Sequence, residues 1–375
     1  MAASRRTDGL RISIGAGLVA GFLLSPKLWL TSRSYPLVPV FRFLRPVPPP
    51  WDYGVMASLI LLAVWIAIRP KPVKAIAAFV LLAAAYGLFD QSRWQPWLYQ
   101  YLFMLAALAI YSERDAVSIT TCRWMVAAIY FWSGVHKANA GFIEDTFPRL
   151  MEPFGGLATL RAVHVLALAV PAIEAAIGMG LLTRRFRTAS IIGALGMHAF
   201  ILASVGPLGH DWDRVIWPWN LAMAAIVVLL FWRNGDATSG GSRAFQGLVL
   251  VLFGIAPVLS FVNLMDGYPA FSLYSGNPND GTIYMADSVA DRLPEEIQEQ
   301  IDVNDSGVDE LSILGWSYEE LGVPPYGELR VLRSIGRQVC EEAGNPREMV
   351  LIVQTKSTWI RTPRSIAYGC ESLRK

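Results

Sequence analysis

Several familiar chemistries have no signature in this chain. Its three cysteines include no CxxC pair, which argues against a dithiol redox role. Its four histidines, at positions 136, 164, 198 and 210, form no HExxH or other local ligand motif, so a metal would need them gathered from separate helices. GxGxxG, the P-loop and GxSxG are absent as well. Charge is scarce: Asp, Glu, Lys and Arg make up 17% of 375 residues against 54% hydrophobic. That balance lies outside the range of an ordinary soluble domain and reads as a polytopic membrane protein.

The little charge there is falls unevenly. Residues 1–265 hold 22 Lys+Arg against 12 Asp+Glu, a net +10, and residues 266–375 hold 10 against 18, a net −8. The first region is expected to be a transmembrane helical domain and the second an acidic α+β domain in water. Nine apolar stretches, near 12–30, 53–68, 73–89, 94–111, 119–139, 158–182, 186–205, 213–232 and 244–264, approach the roughly 17–25 residues a spanning helix needs. The fold class expected is thus an all-α polytopic membrane bundle of about nine transmembrane helices followed by a small α+β extramembrane domain. The second and third stretches are short and separated only by RPKPVK, so eight spans is the alternative. The first stretch follows Arg5, Arg6 and Arg11 without a clear cleavage site and is read as an anchor.

With nine spans, the N-terminus, the loop holding Arg69, Lys71 and Lys74, the loop holding Arg184, Arg185 and Arg187, and the loop with Arg233 and Arg243 share one side. The positive-inside rule makes that side cytoplasmic. Arg33, Arg42 and Arg45 count against it, but the balance puts the N-terminus in the cytoplasm and the C-terminal domain outside, across a cell inner membrane.

The stretch around Tyr130–Phe142, YFWSGVHKANAGF, organises the rest. An ionisable residue inside an apolar run is a functional hypothesis by default, and snorkelling to the headgroups is the alternative for Lys137. Tyr130, Ser133 and Lys137 fall on one helical stripe at i, i+3 and i+7, with His136 on the adjacent stripe. His164 and Glu174 follow in the sixth segment, His198 in the seventh, and Trp217 and Asn220 in the WPWN stretch of the eighth. The candidate catalytic set is Lys137, His198 and Glu174. Lys137 would act as general base, Glu174 would tune it, and His198 and Asn220 would orient substrate or bind an oxyanion. Tyr130, Ser133, His136, His164, Trp217 and Asn220 are candidate substrate-binding residues.

The same segment resembles the lysine-bearing stretch of vitamin K-dependent γ-carboxylases and the carboxylase-like HTTM membrane proteins. Tyr130, Phe131, Gly134 and Lys137 match that pattern, while Asn139 stands where the carboxylases often have aspartate and Phe142 where they have tryptophan. LSPKLWL, WPWN and VPPY are similar to a bacterial HTTM-type group. A weaker resemblance links the chain to DoxX-like and MauE-like membrane proteins, which carry a glycine and a lysine near a helix end and serve redox or quinone-linked functions. The resemblances imply a lipid-soluble substrate or cofactor such as a quinone, a vitamin K-like hydroquinone or an isoprenoid. The rival is a non-catalytic subunit whose external domain docks a protein partner.

In the tail, 349–360 reads as a strand, 328–343 as a helix and Val323-Pro-Pro-Tyr326 as a turn. DVNDSGVDEL places Asp302, Asn304, Ser306 and Gly307 in calcium-loop register, but Ile313 occupies the position of the bidentate Glu, so it reads as a solvated acidic turn. Cys340 and Cys370 share the external domain and could form a disulfide. The basic residues sit at helix ends and the soluble part is acidic, which speaks against nucleic acid as a partner.

Overall fold

The structure is a computed structural model that describes residues 3–159, 161–232, 243–303, 307–343, 348–356, 358 and 362–374. Helices come first: α1 (Ala3–Leu24), the short α2 (Pro26–Trp29), α3 (Trp51–Ile68), α4 (Val73–Gly87), α5 (Pro96–Ile110), α6 (Asp115–His136), the short α7 (Phe147–Met151), α8 (Arg161–Leu182), α9 (Arg187–Val205), α10 (Ile216–Phe231) and α11 (Arg243–Val249). The last of these continues as a wide π-type turn, Leu250–Ile255, and a tight turn, Ala256–Val262. Pro257 explains the irregularity, because it lacks an N–H and its ring crowds the carbonyl four residues earlier.

Of the nine expected spans, part are matched by long apolar helices. Among the described residues five stretches are long and apolar enough to cross a membrane: Ala3–Leu24, Trp51–Ile68, Val163–Leu182, Arg187–Val205 and Ala244–Val262. The apolar helices α4, α5 and α10 have only 15, 15 and 16 residues, which at 1.5 Å each falls short of a hydrocarbon core of about 30 Å. Proline sets some of these limits, since Pro72 precedes α4 and Pro96 opens α5. The Asp90 side chain caps a tight turn between them by accepting from Ser92 N. Helix α6 has 22 residues but carries Asp115, Arg123 and several Ser and Thr. Hydropathy alone counted these four helices as spans of the same kind.

A small antiparallel sheet follows, ordered β2-β3-β1-β4-β5, from β1 (Asp280–Met285), β2 (Ile301–Val303), β3 (Asp309–Ser312), β4 (Met349–Gln354) and β5 (Ser365–Gly369). Helices α12 (Asp287–Ala290), α13 (Glu295–Gln298), α14 (Ile313–Leu321), α15 (Leu329–Ala343) and α16 (Cys370–Leu373) accompany it. Ile283 and Met285 of β1 and Leu351 and Val353 of β4 alternate inward, as a half-buried sheet requires. Val331, Leu332, Ile335 and Val339 form the buried stripe of α15, a helical spacing. Cys340 at its end is bonded to Cys370. The expected strand 349–360 is shorter, ending at Gln354, and residues 357 and 359–361 lie outside the described set, as do Asn304 and Ser306 of the acidic turn.

Polar bonds seat the sheet on one end of the bundle. Glu320 accepts from Ser34 N at 2.7 Å and Tyr35 N at 2.8 Å, from the Ser34 hydroxyl, and from Trp316 Nε1 at 3.0 Å. Burial alone would raise the Glu320 carboxyl, but these bonds and Lys27 hold it below its ordinary value. Arg330 donates to Gln91 Oε1 at 2.9 Å and pairs with Asp266 at 2.5 Å. At the opposite end Arg6, in the first turns of α1, donates to Leu229 O at 3.0 Å near the end of α10. The chain start and the sheet therefore lie at opposite ends of the helices.

Candidate functional site

Two glycines bring α6 and α8 together. A Cβ on Gly134 would lie 2.4 Å from Ala175 N and 2.6 Å from Pro171 O, and one on Gly178 would lie 2.6 Å from both Ala127 O and Phe131 N. No residue with a side chain fits backbones this close, the small-residue logic of helix packing in membranes. One turn past that crossing, Lys137 Nζ meets Glu174 Oε2 at 2.9 Å. The lysine is 8% exposed and the glutamate 5%. The amine also donates to Ser133 Oγ at 2.7 Å. Lys137 is thus turned inward to a carboxylate and a hydroxyl instead of snorkelling outward.

A second hydrogen-bonded chain runs alongside. Tyr130 Oη lies 2.5 Å from His198 Nε2, and His198 Nδ1 lies 2.6 Å from Asn220 Oδ1. The Asn220 amide donates to Ile216 O at 2.8 Å. With its NH₂ given to a carbonyl, Asn220 offers His198 an acceptor, which puts the imidazole proton on Nδ1 and leaves Nε2 to receive the phenol. The chain has one direction, from Tyr130 through His198 to Asn220.

Both groups face one cavity of about 470 Å³, within the usual size for a small-molecule site. Its remaining wall is mainly apolar, with Ile129, Ile177, Met197, Trp219 and Met223 among its residues. The roof comes from the π-type turn Phe142–Thr146 and α7, through Phe142, Phe147, Leu150 and Met151, and from Leu273 and Tyr274. Asn139 clamps that roof. Its Nδ2 donates to His136 O at 2.8 Å and Ser275 O at 2.7 Å, and its Oδ1 accepts from Phe142 N at 3.1 Å. Gly141 and Gly276 then meet backbone to backbone, with Gly276 at φ +64° and no room for a Cβ on either. Above the roof, Tyr274 donates to Asp213 Oδ2 at 2.7 Å. Burial pushes the Asp213 carboxyl up to about 7, and the Tyr274 bond offsets only part of that.

Six of the residues singled out in the sequence line this cavity: Tyr130, Ser133, Lys137, Glu174, His198 and Asn220. Three do not. His136 turns to the other side of α6, with Nε2 3.3 Å from Ser260 Oγ and its ring 4.7 Å from Phe261. His164 is exposed on α8. Trp217 donates to Val205 O and Trp212 O, both at 3.2 Å, and Trp219 takes the cavity position, anchored to Gln100 Oε1 at 3.0 Å. Helical period would have distinguished the two tryptophans, because Ile216, Trp219, Asn220 and Met223 share a face that Trp217 leaves. The roof residues gave no such signal, since they come from a turn, a five-residue helix and a distant loop.

Residues 115–216, from the start of α6 to the start of α10, match the family model of the methylamine utilisation protein MauE. No curated protein and no solved structure matches the chain. The matched stretch contains Tyr130, Ser133, Lys137, Glu174 and His198, and ends just short of Asn220. With the apolar helices, the match makes this a multi-pass membrane protein that sits in a lipid bilayer. It agrees with the MauE-like resemblance in the sequence and does not extend to the HTTM or carboxylase one.

Proposed function

We propose that the chain is a membrane enzyme that binds a lipid-soluble molecule with a polar head, of quinone or isoprenoid type, against Lys137, and that Lys137 serves as general base. The observation that carries this reading is the meeting of the Lys137–Glu174 pair and the Tyr130–His198–Asn220 chain on the walls of one otherwise apolar cavity. A scaffold needs no such cavity. The pair can redistribute one proton from Nζ to the Glu174 carboxylate, after which the amine takes a proton from the substrate head and the new ammonium stands beside the substrate anion. Tyr130, held by His198, lies on the same wall to orient that head. In this reading the carboxylase-like HTTM kinship rests on segment 130–142. The chain would lie in a bacterial inner membrane with its N-terminus cytoplasmic and the sheet domain outside, as the basic loops favour.

A second reading is favoured by the family match itself: a non-catalytic MauE- or DoxX-like subunit whose external domain meets a protein partner of a redox or assembly complex. One experiment separates them. Lipid extraction and mass spectrometry of the purified protein should yield a co-purifying lipid-soluble molecule that is lost in Lys137→Ala at unchanged thermal stability. An empty wild-type protein that behaves as the variant does would leave the subunit reading.

A further inference from the structure

The cavity is not equally closed on all sides. Its inner wall is α6 and α10, whose lining residues Ile129, Tyr130, Ile216, Trp219 and Met223 are all buried. Its roof is pinned by Asn139 and by Ser204 Oγ, which donates to Leu150 O at 2.6 Å. The remaining side is the pair α8 and α9. Near their connection they pack closely, because a Cβ on Gly180 would fall 2.1 Å from Ser190 Oγ and one on Gly193 would fall 3.1 Å from Ile177 Cδ1. Toward the roof they part: a Cβ on Gly196 would meet nothing within 4 Å. In that gap Leu166 and Ile173 line the cavity and are 48% and 53% exposed. Both belong to a stretch long and apolar enough to cross a membrane, whose side away from the other helices lipid covers.

We infer that the gap between α8 and α9 at Gly196 is a lateral opening through which the ligand enters from the bilayer, and that the ligand is a single-chain amphiphile whose head lies inside while its tail extends into lipid. This rests on the site reading above and adds the route and the shape of the ligand. Two features support it. Tyr130, Lys137 and Asn220 lie on the inner walls and the buried Glu174 and His198 reach into the cavity from α8 and α9, while Leu166, Ile173 and Gly196 leave the gap itself apolar, so an amphiphile entering head first finds its polar partners inside. Size points the same way. A cavity of about 470 Å³ is the size of a small-molecule site, which suits a substituted ring and the start of a tail.

The test uses the whole protein in lipid nanodiscs and two photoreactive phenols. One carries a farnesyl tail with a diazirine, and the other is tail-less with the diazirine on its ring. Gly196→Trp fills the gap from α9 and Ile173→Trp fills it from α8, while Ile192→Trp, an exposed α9 residue away from the cavity, is the control. Peptide mapping should find both probes on cavity residues of the wild type and the control. Either blocking variant should lower farnesyl labelling at least tenfold and leave tail-less labelling within twofold. Undiminished farnesyl labelling in both blockers would overturn the lateral route and leave the site reading standing. Loss of both probes in both blockers would also overturn it, by showing that the added rings disturb the head site. Failure of either probe to label the wild-type cavity would remove the underlying reading with it.

Discussion

Two of the buried ion pairs stand in different surroundings. Arg33 and Asp90 pair at 2.6 Å with both side chains fully buried. Arg33 also donates to the carbonyls of Lys27, Leu28, Tyr35 and Pro36, and Asp90 accepts from Ser92 N and Val38 N. Arg93 beside them donates to Leu28 O, Tyr86 O and Trp29 O. In that cluster nearly every donor is directed at protein backbone, so it ties the loops under the sheet together. Lys137 and Glu174 pair at 2.9 Å, but both line the cavity. Saturated burial holds structure, whereas burial facing a cavity is what a ligand can complete.

That contrast can be tested by breaking each side. The largest effect belongs to the saturated cluster: Asp90→Ala strands Arg33 in the interior and should cost about 3–5 kcal/mol, read as a lower thermal midpoint with no change in ligand retained per folded molecule. Gly134→Val comes next, since its side chain would press on the α8 backbone 2.4 Å away. Overpacking of this kind costs about 1–3 kcal/mol, and prising α6 from α8 should also abolish the co-purifying ligand. An intact ligand signal would mean that the Lys137–Glu174 contact is not what holds it.

Tyr130→Phe should be milder, about 1 kcal/mol in stability, with retention of the ligand falling roughly five- to tenfold. Equal retention by wild type and variant would remove Tyr130 from the binding set. The effect expected at Asp213, above the roof, shows only against pH. Burial raises its folded value from 3.8 to about 7, so between about pH 4 and 7 the unfolded chain has released a proton that the folded chain keeps. Stability therefore falls as pH rises across that window and is level on either side. Asp213→Asn should flatten the thermal midpoint against pH there, and an unchanged profile would assign the slope to another group.

Much of the bundle was legible because apolar period and length are local properties. Tyr130, Ser133 and Lys137 could be placed on one stripe from spacing alone. Glu174, His198 and Asn220 were recognisable as polar residues in apolar runs. Every apolar stretch was read as a span, and five of the described helices are long and apolar enough for one, while Pro72, the Asp90 turn and Pro96 bound the shorter α4 and α5. His136 and Trp217 were drawn into the site by adjacency in sequence, although neighbours on a helix point about 100° apart and these two turn away from the cavity.

By itself the sequence determined that the chain enters a bilayer, that its last third is acidic and mixed in structure, and that a lysine sits among apolar residues near Gly134. Those follow from composition and from the 3.6-residue repeat. Only the tertiary structure decided that Glu174 is the partner of Lys137, that Tyr130, His198 and Asn220 form one directed chain, and that Asn139, Gly141 and Gly276 close a roof over them. Each of these depends on how closely separate backbones approach, and for the Lys137–Glu174 pair and the roof that distance is set by glycine contacts between segments tens of residues or more apart in the chain.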